Sequence, residues 1–551
     1  MQQKIQFIIL TALLPLNTVA QNPLNISGNL RTEAFFSSDL PAPMWFTARQ
    51  EGRWGLINQN QFTTLAQVSI QKQAKGGWNF AADAEIDYNT AINRVYLHHG
   101  FMKIDWRFLN LMAGRHTFSP IFGKNYKGSG SYLFGDNNRP IDRVTFAISE
   151  YTAVPFTRRV LEVRGGISHG WLDDTKHYQI LSTEANYYHR KILLHEKYAY
   201  ARFNFGKLKV YGGLNHSAFM GGYSGKGVKI PIDYWKSIFA KSSTKIGRGD
   251  ATNAGGAHMG LYDFGIYTTL PFGDAQFYYQ LPFADKSGML FWKRNQDQMT
   301  GINVSFNNCK WLHNLTFEWV NTAYQTGNGV PDAIIVWPDT GVTEGMPRTV
   351  LITKTQAELD EMMHRLLGDA AKTGYTFDEV NNYLRSAFNR GREHGGRDGY
   401  MNNGDYPGGW TYYGMVMGSP LNLTRDRLHH LNPILGRASD NYYVDNFIAN
   451  DRYRALHVGG EGSISDKLSW EAMFTFSVNY GSYYNQYPGR YTWEETPNYY
   501  FAHELKQFYS LLALAWKPCS EPNITFNIAA ALDAGEIFNT FGGKFGVKWS
   551  F

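Results

Sequence analysis

Apolar and polar positions alternate along much of this chain with a period of two. In "KLSWEAMFTFSVNY" one face carries Leu468, Trp470, Ala472, Phe474, Phe476, Val478 and Tyr480, and the other Ser469, Glu471, Met473, Thr475, Ser477 and Asn479. In "NITFNIAAAL" Ile524, Phe526 and Ile528 oppose Asn523, Thr525 and Asn527. In "NLTFEWV" Leu315, Phe317 and Trp319 oppose Asn314, Thr316 and Glu318. In "NFAADAEIDY" Phe80, Ala82, Ala84, Ile86 and Tyr88 oppose Asp83, Glu85 and Asp87. The segment "GGKFGVKWSF" sets Phe545, Val547, Trp549 and Phe551 against Lys544, Gly546, Lys548 and Ser550. This period predicts β-strands with unlike faces. Three carboxylates on one side of one strand are costly in a dry core. They are inexpensive beside a wet lumen, so the pattern predicts a barrel whose apolar face meets lipid. A large soluble β-sandwich shows the same periodicity and is the alternative.

The amino-terminal residues favour the barrel. Met1–Lys4 carries one positive charge, Ile5–Leu16 is almost wholly apolar, and Thr18-Val19-Ala20 places small residues before Gln21. This is the layout of a secretory signal peptide over residues 1–20. An uncleaved anchor is the competing reading, and its apolar run is too short to span a bilayer. No Cys follows the cleavage site, which argues against a lipid anchor. No other stretch reaches the run of about 18 apolar residues that a spanning helix requires. A closed barrel is the other structure that satisfies its backbone in lipid. The expected fold is therefore all-β: a transmembrane antiparallel β-barrel of about 18 strands over 21–551. Its expected location is the Gram-negative outer membrane.

Connection lengths support this reading. Strands are expected at 452–464, 467–480, 506–517, 523–532 and 542–551. The links "KPCSEP", "ISD", "NNCKW", "PFGD" and "FGK" are short, whereas 215–260, 283–298 and 480–506 are long. Outer-membrane barrels have short periplasmic turns and long external loops. Cys309 and Cys519 then lie in periplasmic turns several strands apart, which disfavours a disulfide, whose Cα atoms must lie within about 7 Å, and leaves their pairing open.

Residues 325–450 break the rhythm. "TQAELDEMMHRLLGDAAKTG" predicts a helix with Thr355 and Glu358 as a capping box, and "TFDEVNNYLRSAFNRG" a second with Thr376 and Glu379. A helical insertion over about 350–392 is either an external domain or a plug in the lumen.

Beyond the insertion, 395–422 combines Gly-rich backbone, carboxylates, amides and rings. Carbohydrate sites use this mixture, because rings stack on sugar C–H faces while Arg, carboxylates and amides bind hydroxyls. The candidate residues are Arg397, Asp398, Asn402, Asn403, Asp405, Trp410 and Tyr412, joined across the external face by Tyr483, Tyr484, Arg490 and Trp493. An ordered loop with girdle aromatics is the plainer reading, and a Ca²⁺ site a third that lacks EF-hand spacing.

Six stretches follow one another in order: "NRVYLHHGFMKIDWRFLNLMAGRHTF", "GSGSYLFGDNNRPIDRVTFAISEYTAVPF", "VRGGISHGWLDD", "LLHEKYAYARF", "KLKVYGGLNHSAFMGG" and "DGYMNNGDYPGGWTYYGMVMGSPL". Together they resemble the capsule assembly protein Wzi family in its more divergent branch, over about 90–225 and from 395 onward. The segment 325–395 looks like an insertion, and "GDNNRPIDRV" replaces a more Pro-rich stretch. The resemblance implies an 18-stranded barrel closed by helical and loop elements. It also implies a surface lectin that holds capsular polysaccharide at the cell exterior.

No G-x-S-x-G elbow, H-E-x-x-H motif or Walker A loop occurs, and no enzyme activity, cofactor or metal is expected. His98-His99, His169, His195, His216 and His429-His430 read as lumenal or interfacial polar residues. The function expected is non-catalytic binding of capsular or extracellular polysaccharide. A porin or solute channel and an outer-membrane hydrolase are the alternatives. Expected partners besides the glycan are outer-membrane lipid and the barrel-assembly machinery. No nucleic acid is expected, and the chain is read as a monomer. A net charge of +6 suits acidic glycans but is modest for 551 residues.

Overall fold

The computed structural model describes residues 24–56, 58–123, 126–175, 188–224, 227–246, 254–284, 297–325, 355–376, 379–380, 383, 399–428, 447–486 and 498–551. The expected signal peptide lies outside them.

Eighteen antiparallel strands form one closed sheet. In chain order they are β1 (Asn25–Ser37), β2 (Asn60–Ala74), β3 (Trp78–Asn89), β4 (Arg94–Trp106), β5 (Leu109–His116), β6 (Ile141–Ala153), β7 (Leu161–Leu172), β8 (Ile192–Phe205), β9 (Leu208–Met220), β10 (Ala257–Leu270), β11 (Gly273–Phe283), β12 (Gln298–Phe306), β13 (Asn314–Asn321), β14 (Arg452–Ser465), β15 (Leu468–Gly481), β16 (Leu505–Trp516), β17 (Asn523–Gly535) and β18 (Thr540–Ser550). Each strand pairs with its neighbours in sequence. The ring closes where Asn29–Ser37 of β1 pairs with Gly542–Ser550 of β18.

The faces are those the alternation predicts. Phe317 and Ile528 face outward and are exposed, as are Ile86, Phe474, Phe545 and Trp549, whereas Glu318, Thr475, Ser477 and Asn479 are buried inside. The expected short links also hold. The strands joined by "FGK", "PFGD", "NNCKW", "ISD" and "KPCSEP" are adjacent hairpins. All five turns lie at one end of the barrel. The long connections, including 38–59, 117–140, 221–256 and 322–451, lie at the other. Cys309 and Cys519 are unbridged.

The sequence left open whether the helical insertion plugs the lumen or sits outside it. The lumen is occluded in part. Its long-loop half is filled by a core that includes Met44, Trp45, Tyr126, Leu133, Tyr400, Trp410, Met417 and Leu423. Among the described residues, none of the helical insertion belongs to that core. The predicted helix forms at Gln356–Leu367. Its buried Leu359 and Met363 do not belong to the lumenal core. The side chain of Glu358, in the first capping box, lies outside the described residues; the second box forms: Thr376 N–H donates to Glu379 Oε2 at 2.8 Å, and Glu379 N–H to Thr376 Oγ1 at 3.2 Å. Most of that second helix lies outside the described residues. The lumen is closed by loop segments 38–56, 126–140, 399–428 and 447–451, with a single helical turn, Met44–Thr47, among them.

Candidate functional site

The plug is tied to the barrel wall by carboxylates on the polar strand faces. Glu318, on β13, is fully buried and accepts four hydrogen bonds. Ser129 donates to it twice, from N–H at 2.7 Å and Oγ at 2.7 Å. Tyr278 Oη donates at 2.6 Å, and Tyr126 Oη makes a short fourth bond. The carboxylate that the alternation placed opposite Phe317 thus fixes the segment 126–130. Nearby, His457 Nε2 lies 2.8 Å from the carbonyl of Lys127 and Nδ1 lies 2.7 Å from Thr475 Oγ1. A carbonyl can only accept, so Nε2 carries the proton and the hydroxyl donates to Nδ1.

The segment 399–428 stands against this scaffold. Trp410 Nε1 donates to the carbonyl of Leu133 at 3.1 Å, and its ring stacks on Phe219 of β9 at 4.7 Å. Tyr406 Oη donates to the carbonyl of Gly221 at 3.0 Å, and Tyr400 Oη to Asp297 Oδ2 at 2.6 Å. Gly135 could not carry a side chain here, because a Cβ would lie 1.8 Å from the carbonyl oxygen of Gly418. Asp174, just past β7, accepts from His189 N–H at 2.6 Å and Tyr413 N–H at 2.9 Å. Burial raises its carboxyl to about 7, against the pull of these backbone donors. Arg427 reaches Asp533 of β17 at 3.3 Å and the carbonyl of Ala42 at 3.2 Å.

The acidic strand of the alternation pattern is also neutralised. Glu85 and Asp87 are buried, with Arg53 of the plug 2.7 Å from Glu85 and 3.7 Å from Asp87. Glu85, Asp87 and His98 bring potential ligand atoms within 4.8 Å of one another. The Arg53 guanidinium already supplies the positive charge a metal would bring.

Below the plug, at the short-turn end, lies a cavity of about 480 Å³. Arg31, Glu33, Glu461, Glu471, Lys544 and Lys548 line it, and Trp45 and Phe46 form part of its wall. Here the lumen is polar and open, as the sequence led one to expect.

The sequence-nominated carbohydrate residues are divided by the structure. Trp410, Tyr412 and Tyr483 are buried. Tyr483 lies under the guanidinium of Arg452 at 3.4 Å. Asn402, Asn403 and Asp405 are half-buried at the long-loop end. Asn402 Nδ2 donates to the carbonyl of Ile448 at 3.0 Å, and Asn403 Oδ1 accepts from Asp405 N–H at 2.9 Å. Arg397, Asp398, Arg490, Trp493 and the side chain of Tyr484 lie outside the described residues. Sequence reasoning missed Glu318, Ser129, Tyr126 and Asp174. The signals were an inward carboxylate on β13 and the motifs "GSGSYLFGDNN" and "VRGGISHGWLDD", which carried the family resemblance but were given no site role.

Solved structures to which the chain is similar include Escherichia coli Wzi, an outer-membrane protein involved in group 1 capsule assembly and described as a carbohydrate-binding β-barrel. Identity is 13%, the TM-score is 0.49, and the alignment covers 94% of this chain and 83% of that one. Pseudomonas aeruginosa OccD3 (OpdP) aligns at 8% identity with a TM-score of 0.45, over 97% of this chain and 92% of the other. P. aeruginosa OccK5 (OpdH) aligns at 8% identity with a TM-score of 0.42, over 96% and 98%. No curated protein matches the chain. Residues 44–338, more than half of the sequence, match the family described as "Capsule assembly protein Wzi". The match begins ahead of the first motif that carried the resemblance and ends within the insertion. The chain belongs to the capsule assembly protein Wzi family.

Proposed function

We propose that this protein sits in the outer membrane as a monomer and holds capsular or extracellular polysaccharide at the cell surface without catalysing a reaction. The observation that carries the reading is a lumen filled by the chain's own loops in a member of a capsule assembly family. A general porin needs an open path, and the packing of Trp410, Tyr406 and Leu133 across the long-loop half opposes one. The apolar outer wall supports insertion in lipid, since it would be an aggregation hazard in water. Residues 1–20 would direct export, and the strand ending at Ser550 would be presented to the barrel-assembly machinery.

In this reading Asn402, Asn403 and Asp405 contact the glycan at the long-loop rim, together with Arg397, Asp398, Tyr484, Arg490 and Trp493. Trp410, Tyr412 and Tyr483 hold the plug that carries that rim. A polymer crossing several weak contacts gains by multivalency, so affinity for the polymer should far exceed that for a monosaccharide. The test is a cell lacking the protein, assayed for capsule that stays bound after washing. Loss of bound capsule, restored by the wild-type chain, supports the reading. Unchanged capsule overturns it. Large steady conductance of the purified protein in planar bilayers would favour the channel.

A further inference from the structure

One face of the barrel exterior is polar where it should meet lipid. His169 on β7 lies between exposed Ile167 and Trp171 in the outward series. His195 and Lys197 share the parity of exposed Phe203 on β8, His216 that of Leu208 and Val210 on β9, and His258 that of Ile266 on β10. His169 and His195 are paired across adjacent strands, as are Lys197 and His216. Yet His195 is 0% exposed and His216 6%.

The cover is the described part of the long connection, chiefly 227–246, which folds back down the outside of the barrel. Tyr234 Oη lies 3.0 Å from His169 Nε2, and the two rings stack at 5.8 Å. Lys197 Nζ donates to the carbonyl of Ile238 and lies 5.9 Å from the centre of the Phe239 ring. His258 Nε2 donates to the carbonyl of Gly255 at 2.9 Å. Its Nδ1 therefore accepts from His216 Nε2, 3.1 Å away. His169 is three residues inside the end of β7 and Lys197 five inside the start of β8. At the usual rise per residue that is roughly 10 Å and 16 Å along the strands. The loop thus descends beside the wall rather than standing above it.

What the loop turns outward is aromatic and basic. Trp235 is 67% exposed and Phe239 61%, and their rings stack at 6.4 Å. Val228 and Ile232 are exposed beside them, as are Lys229, Lys236 and Lys241. The nearby carboxylate, Asp233, is half-buried, accepts from Ser243 Oγ at 2.7 Å and lies 3.9 Å from Lys236 Nζ, a loose pair that leaves Lys236 exposed. Rings that seek the interface, flanked by lysines, match a surface that lies in the headgroup region of a membrane.

We propose that 227–245 is an outer-leaflet anchor: it screens the polar patch of β7–β10 from acyl chains and binds phosphate-bearing lipid headgroups through its lysines. The inference rests on the membrane-spanning reading above, and the test separates the two. Cys309 and Cys519 are replaced by Ser, and a fluorophore is attached to Trp235→Cys, to Phe239→Cys or, as a barrel control, to Phe474→Cys. The full chain is reconstituted in vesicles of brominated phosphatidylcholine, with or without phosphatidylglycerol. Lipid bromine should quench all three labels, with 235 and 239 shallower than 474. Phosphatidylglycerol should increase quenching at 235. Changing Lys229, Lys236 and Lys241 together to Gln should abolish that increase while leaving the 474 signal as it was. Quenching at 474 but not at 235 or 239 overturns the anchor and leaves the barrel reading intact. Lack of quenching at 474 overturns both. Failure of phosphatidylglycerol to increase quenching at 235 overturns the headgroup assignment, as does shielding of the 235 label by soluble capsular polysaccharide instead of lipid.

Discussion

Ser129 and Glu318 are 189 residues apart in sequence, and Ser129 gives the Glu318 carboxylate both its backbone N–H and its hydroxyl at 2.7 Å. One side chain on β13 thereby fixes a plug segment inside the barrel. Glu318→Ala would leave the Ser129, Tyr126 and Tyr278 donors without their acceptor, at about 1–3 kcal/mol for each group left unsatisfied. The plug should loosen while the barrel persists. Purified Glu318→Ala protein should show intermittent conductance and faster proteolysis near 126–140, and wild-type behaviour in both assays would refute the lock.

The helical insertion should be separable from the plug. Its helix, Gln356–Leu367, shares no residue with the lumenal core. Deleting 350–392 should therefore leave bilayer conductance at its wild-type level. A marked rise would mean that the hairpin blocks the lumen.

Trp410 and Asp405 should fail differently. Trp410 is buried on Phe219 and bonded to Leu133. Trp410→Ala should cost about 3–5 kcal/mol in the plug, raise conductance and lower polysaccharide binding together. Asp405→Ala, at the rim, should lower binding and leave conductance unchanged. If both variants bind polymer like wild type, the rim is not the glycan surface.

Asp174 should give the plug an inverted pH response. Burial raises its folded value from 3.8 to about 7. Between those values the folded protein holds a proton that the unfolded chain has released. This contribution to stability is therefore greatest at low pH and is lost as pH rises from about 4 to 7. The difference in thermal stability between wild type and Asp174→Asn should change across that window, and a flat difference would show that the group does not titrate there.

Phe551 helps to close the barrel. It exchanges two backbone hydrogen bonds of 3.0 Å with Gly28, over which its ring lies: a Cβ at Gly28 would be 2.5 Å from the ring. Phe551→Asp and Gly28→Leu should both reduce the amount of folded barrel in outer-membrane fractions. Normal yields of both would show that this contact is dispensable.

Strand positions, faces and short turns were legible in the sequence because they follow from local rules. A period of two marks the two faces of a strand wherever it lies, and "NLTFEWV" reveals Phe317 outward and Glu318 inward without any knowledge of its neighbours. The capping box of Thr376 and Glu379 was equally local. What fills the lumen was decided by tertiary structure. Trp410 looked like a surface ring because its sequence surroundings are Gly-rich and polar. It is buried because Leu133, 277 residues earlier in the chain, and Phe219 meet it inside the barrel. Alternation states that Glu318 faces inward. Only the closed ring, which brings β11, β13 and the segment 126–130 to one point, determines that it meets four donors rather than water.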